Sequence, residues 1–175
     1  GMLSPRRFLC SLSCTLASAL AACGGGDDEA PGALFDLEGE LAGDTFFDFP
    51  FPSDLRLDAD GTAAYAGFPN KGNNRLVTQL TALADARRGF AVMASAYFRF
   101  AEALPARTVS ELIAATPDAP ILYVDIDPDS PARGSLVPIV AQTLQPDDTA
   151  AAFLLGVGPR PGWVNAPSTT YAVVV

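Results

Sequence analysis

What most constrains this chain is its punctuation. From Ser95 onward the apolar residues come in short runs, SAYFRF (95–100), ILYVDID (121–127), SLVPIVAQTL (135–144), AAFLLGVG (151–158) and TTYAVVV (169–175), set apart by clusters of Pro, Gly and Asp. Each run is rich in β-branched and aromatic residues and too short for a typical helix, so each reads as a strand. A proline inside a helix costs about 3 kcal/mol, and fifteen prolines with fifteen glycines leave few uninterrupted stretches. Several short strands at regular spacing predict a mainly β fold, a β-sandwich.

Ahead of the strands, Asp44 to Gly72 carries phenylalanines at 46, 47, 49 and 51 among turn formers. Pro50 and Pro52 exclude a regular central strand there. Ser53 and Asp54 predict a turn tied by side-chain to backbone bonds, and Asp58-Ala59-Asp60-Gly61 a tight turn. One inserted amphipathic helix is expected in NNRLVTQLTALADARRG (73–89), where Leu76, Leu80 and Leu83 recur at helical spacing, Asn73 or Asn74 offers a cap, arginines occupy the last turn and Gly89 lies just beyond. A short second helix is expected through SELIAA, from Ser110.

The front of the chain has another character. Arg6 and Arg7 precede an uncharged run from Phe8 to Ala22 that ends in small residues, the layout of a secretory signal peptide over 1–22. A spanning helix needs about 20 apolar residues, and this run is shorter and diluted by Ser11, Ser13, Thr15 and Ser18. Leu20-Ala21-Ala22-Cys23 then resembles the lipobox of bacterial lipoproteins. The resemblance implies that the Cys23 thiol is acylated and becomes the new N-terminus, so that the partner at this end is membrane lipid. Where that family tends to carry an aspartate for inner-membrane retention this chain has Gly24, which implies the outer membrane of a Gram-negative cell. Residues 23–32, with GGGDDEAPG after the cysteine, form a flexible acidic tether; about ten residues of flexible coil span roughly 17 Å. Cys10 and Cys14 leave with the signal and Cys23 is taken by lipid, so a disulfide cannot hold the body together.

The body, 33–175, contains FPFPSDLRLDADGT, a helix, SAYFRFAEAL, YVDIDPDSPARGSLVPI and PGWVNAPSTTYAVVV. Over roughly 43–175 this resembles the immunoglobulin-like N-terminal module of large bacterial lipoproteins, including that of surface lipases. The resemblance implies an Ig-like sandwich in which the tyrosine of TTYAVVV packs at one end, and a non-catalytic module that spaces or binds. In those lipases the hydrolase lies farther along the chain, so an alternative reading is the N-terminal portion of a larger surface lipase or esterase. TTYAVVV ends without a polar tail, and the sandwich is expected to continue beyond Val175.

The residues themselves point away from catalysis. With no histidine in the chain, neither a Ser-His-Asp or Cys-His arrangement nor a zinc site of the usual Cys/His kind can be built. There is no Gly-x-Ser-x-Gly elbow and no phosphate loop, and Lys71, the only lysine, has no serine three residues before it. Two carboxylates suffice for glycosidase-like chemistry, but most acids here read as solvated faces and turns. Eleven basic residues, less Arg6 and Arg7, leave nine against twenty acidic ones after Cys23, a balance that repels phosphate backbones and excludes nucleic acid. The metal-like constellation is Asp125, Asp127 and Asp129, three carboxylates at alternate positions that calcium would suit; it supports a further reading, a calcium-dependent adhesin. Against it, Ser130 and Leu136 stand where an EF-hand needs Gly and Glu, so an acidic turn closing ILYVDI is the competing expectation. Trp163 is either an exposed ligand-binding aromatic or a cover for one end of the core.

Overall fold

The computed structural model describes residues 32–175. Its architecture is mainly β: six strands in two antiparallel sheets, with one α-helix and two 3-10 turns. The strands are β1 (Ala96–Arg99), β2 (Leu112–Ile113), β3 (Leu122–Asp125), β4 (Ile139–Thr143), β5 (Leu154–Pro159) and β6 (Tyr171–Val174). Four of them fall inside extended runs, and β5 overlaps the run 151–158 and ends one residue beyond it. One sheet has the order β1-β5-β4-β2 and the other pairs β3 with β6.

Strand alternation explains how the sheets pack. Phe98, Ile113, Ile139, Ala141, Leu155 and Val157 from the larger sheet bury against Ile121 and Tyr123, with Tyr171 and Val173 of β6 half-buried on the same core. The two sheets therefore close on each other as a β-sandwich. Tyr97 and Leu154 project from the opposite face of the larger sheet, where a second core gathers Phe46, Phe47 and Phe51 with Tyr65, Phe68 and Phe90 at its margin. Val157 lies opposite Ala96 and Gly156 opposite Tyr97. A Cβ on Gly156 would stand 3.3 Å from the Tyr97 ring and 3.2 Å from Leu144, so glycine makes room for the aromatic layer.

That layer is the 44–72 segment, which Pro50 and Pro52 keep out of strand conformation. Its rings meet mostly edge to face, Phe46 with Phe47 at 5.0 Å and with Phe68 at 5.3 Å, pairings that each contribute about 0.5–1.5 kcal/mol beyond burial. Arg56, 7 % exposed, reaches into it: its guanidinium donates to the Phe46 carbonyl at 2.6 Å and, more weakly, to that of Phe49 at 3.4 Å. It lies over the rings of Phe46 and Phe51 at 4.1 and 4.8 Å. Burial lowers its pKa to about 10. The Ser53 hydroxyl accepts from Leu55 N–H at 3.3 Å, capping the 3-10 turn Asp54–Arg56 as expected for that serine. The Asp58–Gly61 turn forms too, Gly61 N–H donating to the Asp58 carbonyl at 2.8 Å and Gly61 taking φ +85°.

Helix α1 (Arg75–Asp85) forms with Asn74 as its cap, whose side chain accepts from Leu76 N–H at 2.9 Å. Asn70 braces the same end, accepting from Asn74 N–H and donating to Thr78 Oγ1. The helix departs from expectation in two ways. It ends before Arg87 and Arg88, and Leu76, Leu80 and Leu83 are exposed by 60, 55 and 60 % while Val77, Thr81 and Ala84 are half-buried. Polar caps, rather than the leucine stripe, fix how the helix sits. The second helix, expected from Ser110, does not form. Six residues do not sustain the cost of helix nucleation; Thr108 Oγ1 accepts from Ser110 N–H in a turn, and Leu112–Ile113 become β2, pairing with Val140 and Ile139 of β4.

Candidate functional site

Cys23 and its lipobox neighbours Leu20, Ala21 and Ala22 lie outside the described residues. The Asp125 cluster lies within them, and it is an acidic turn. Asp125 is buried at the end of β3; Ser130 donates to its Oδ2 at 2.5 Å and Asp127 N–H to its Oδ1 at 3.0 Å. Asp127 accepts in turn from Asp129 N–H and from Thr170 N–H, both at 2.9 Å. Those backbone donors, Asp129 first and then Thr170, hold the Asp127 carboxyl below its ordinary range. Among the described residues no group of three or more His, Cys, Asp or Glu is placed to hold a metal ion. The physical reason is local: Asp125 and Asp127 spend their oxygens on the turn that Pro128 begins, so the three carboxylates do not converge on one point. Trp163 is one-third exposed and belongs to neither core.

The residues that do converge came from no sequence motif. Between the aromatic layer and β6 lies an open cleft of about 810 Å³. Phe49, Pro50, Pro52, Phe90 and Val92 form one wall, Asn165 to Val173 the other, and Phe98 and Tyr123 also line it. Its charged lining residues are Asp54 and Arg88, one of each sign.

Asn165 is its most unusual member. It is 5 % exposed; its Nδ2 donates to the Tyr123 hydroxyl at 2.6 Å, and its Oδ1 has no hydrogen-bond partner. Flipping the amide changes only which atom is left over, since Tyr123 Oη can give or take one bond. A desolvated polar atom left without a protein partner costs about 1–3 kcal/mol, which makes Asn165 a costly residue to bury here. Tyr171 stacks on Tyr123 at 5.4 Å, and its hydroxyl accepts from Ala166 N–H at 3.0 Å, tying the loop back onto the sheet. Burial pushes the Tyr123 phenol up, against the lowering effect of the Asn165 hydrogen bond and with a smaller push from Tyr171. Ser168 holds φ +53° in the same loop, a conformation non-glycine residues adopt at a cost.

Sequence reasoning passed over this site. Asn165 sits in NAPST, a string of turn formers that reads as solvated loop, and only the tertiary fold buries it. Chemically the cleft offers apolar walls, neutral hydroxyls, an amide and one charged group of each sign, Asp54 and Arg88. Comparison with protein-family models, with curated proteins and with solved structures finds no match to this chain.

Proposed function

We propose that the chain is a lipid-anchored, non-catalytic binding module of a Gram-negative outer-membrane lipoprotein, held to the bilayer by acylated Cys23 and engaging its ligand through the cleft. The observation that carries the binding role is a cleft of about 810 Å³ into whose lining the fold brings the buried Asn165, its side-chain oxygen without a protein partner. The anchor rests on Leu20-Ala21-Ala22-Cys23 and the glycine-rich acidic tether. Acyl chains contribute about 0.8 kcal/mol per buried methylene, and two or more make attachment stable. The Ig-like reading of the sandwich draws support from Tyr171, whose hydroxyl bonds the backbone five residues upstream, a device that antibody-type sandwiches also use at one end.

Metabolic labelling with a clickable fatty acid tests the proposal. The protein should carry the label and fractionate with membranes, and Cys23→Ser should lose both. Label persisting in that variant would refute the anchor.

A further inference from the structure

Helix α1 turns to solvent the side that its sequence would bury. Leu76, Leu80 and Leu83 form one stripe along it, each more than half exposed. The helix is not free to roll and hide them. Asn74 caps it, Asn70 bonds both Asn74 and Thr78, and Val77, Thr78 and Thr81 line a shallow groove with Tyr65 and Phe68. Tyr65 and Phe68 belong to the margin of the second core, whereas Tyr171 and Val173 of β6 pack on the first. The stripe and β6 therefore stand on opposite faces of the larger sheet, and a strand added beside β6 would leave the leucines as they are.

Positive charge gathers at the same place. Residues 71–88 hold four cations, Lys71, Arg75, Arg87 and Arg88, all exposed, against one anion, Asp85. The rest of the chain holds seven bases and nineteen acids. At about 100° per residue, Asp85 falls roughly 170° around the helix from the leucines. Neighbouring elements bring three acids close: Asp44 pairs with Lys71 at 2.6 Å, Asp148 approaches Gly72, and Asp60 lies beside Arg88. Arg75 and Arg87, one near each end of the helix, join no ion pair among the described residues.

We infer that α1 is a membrane-docking face, its leucines entering the acyl boundary of an anionic phospholipid bilayer and Arg75 and Arg87 meeting the lipid phosphates. A helix with leucines on one side and arginines at its flanks lies in the interface plane with its apolar stripe immersed. The inference rests on the anchor proposed above, which keeps the bilayer within reach: residues 23–32 span at most about 36 Å when fully extended. The described chain leads from there toward α1, Ala33 bridging Phe100, Gly43 donating to the Gly67 carbonyl and Asp44 pairing with Lys71 just ahead of the helix. The acidic remainder is repelled by the same surface and turns away from it, which fixes the orientation. A second copy fits the stripe less well. A coiled-coil seam needs about three or more heptads and α1 has 11 residues, while an antiparallel pair would set Arg75 of one copy against Arg87 of the other.

The test follows one tryptophan. Trp163 is the only one in the chain and lies outside both cores, so Trp163→Phe combined with Leu80→Trp moves the probe onto the exposed stripe. The full chain, as the cell processes it, is mixed with vesicles of equimolar phosphatidylglycerol and phosphatidylethanolamine whose acyl chains carry bromine, and the floated protein is read by fluorescence. The probe at residue 80 should shift to the blue and be quenched at least twofold more than Trp163 of the parent. Leu76→Ser with Leu83→Ser, and separately Arg75→Gln with Arg87→Gln, all at exposed positions, should each cut that quenching by half or more. Equal quenching at the two positions, or no loss in either double variant, overturns the inference. So does a blue shift that needs no vesicles and grows with protein concentration, which would assign the stripe to a second copy. Protein that carries the fatty-acid label and floats with an unquenched probe at residue 80 refutes the docking face and leaves the anchor standing. A quenched probe in floated protein without the label refutes the anchor alone, and protein that neither floats nor carries the label refutes both.

Discussion

Replacing Arg56 by methionine is expected to lower stability by about 2 kcal/mol, although it removes a buried charge. Burial takes the guanidinium down to about 10, and at about 1.4 kcal/mol per tenfold change in proton affinity the buried charge costs about 3 kcal/mol. Folding depresses this base, so that cost is present below about pH 10 and is relieved only as pH rises toward its ordinary value. Against it stand the bonds to the Phe46 and Phe49 carbonyls, worth about 1.5–3 kcal/mol with a charged donor. Stacking on two rings adds about 2 kcal/mol where water is excluded, and the Phe46 carbonyl left unpaired adds a further penalty of about 1–3 kcal/mol. Methionine recovers part of the packing but accepts no role as donor. For a body of this size a loss of about 2 kcal/mol is a melting point lower by roughly 6 °C, read by calorimetry or urea unfolding. Arg56→Ala should lose about 2 kcal/mol more, since it also opens a cavity between the rings. A methionine variant as stable as the parent would show that the charge's burial outweighs its bonds, and would remove Arg56 as the fastener of the aromatic layer.

Three further outcomes are expected. Asp60, Asp127 and Asp147 are all held below the ordinary carboxylate range, chiefly by donors in their own turns and, for Asp127, from Thr170, so their contribution is full above about pH 4 and is lost as pH falls through their lowered values; a urea midpoint that stays flat from about pH 7 to about pH 2 would contradict this. Millimolar calcium should leave the melting temperature unchanged because the Asp125 turn uses its carboxylate oxygens internally, and a rise blunted by Asp127→Asn would reverse that reading. Gly67→Ala should destabilise by about 1–3 kcal/mol, since its Cβ would fall 2.6 Å from the Leu41 carbonyl oxygen and 2.8 Å from Ala42 Cα; a variant within about 0.5 kcal/mol of the parent would mean that the backbone yields there.

The strands were legible because each is a short β-rich run between breakers, and a half-buried sheet needs little more than that pattern. What periodicity could not convey was which side of α1 faces inward. Leu76, Leu80 and Leu83 have the spacing of a core stripe, yet Asn70 and Asn74 clamp the helix so that Val77, Thr81 and Ala84 turn inward. SELIAA was misread for a related reason: Leu112 and Ile113 are decided by pairing with β4, a contact more than twenty residues away in sequence. The Asp125 cluster illustrates the limit for sites. Alternate carboxylates look like ligands in one dimension, but the turn supplies their partners. Asn165 is the converse, an ordinary loop residue in sequence that the fold buries, its hydrogen-bond partner Tyr123 lying forty-two positions away.

Stability and binding meet in the segment around Arg56. The carbonyl of Phe49 that Arg56 holds belongs to the same Phe49-Pro50 wall that faces β6 across the cleft. The aromatic layer is thus both a second core, covering the far face of the larger sheet, and the fixed side of the binding site. A ligand held in the cleft would bury surface against that wall and stabilise the folded state by mass action, about 2.7 kcal/mol at a hundredfold excess over Kd. Loosening the wall should therefore weaken binding, even though Arg56 itself lies outside the cleft lining. The two effects separate by comparing variants. Arg56→Met and Leu55→Ser should both reduce ligand affinity, but only the first should also lower the melting temperature of the unliganded protein, since Leu55 lines the cleft and is exposed. If Arg56→Met lowers the melting temperature and leaves affinity intact, the wall is not part of the site, and the other lining residues, 165–173, must account for binding alone.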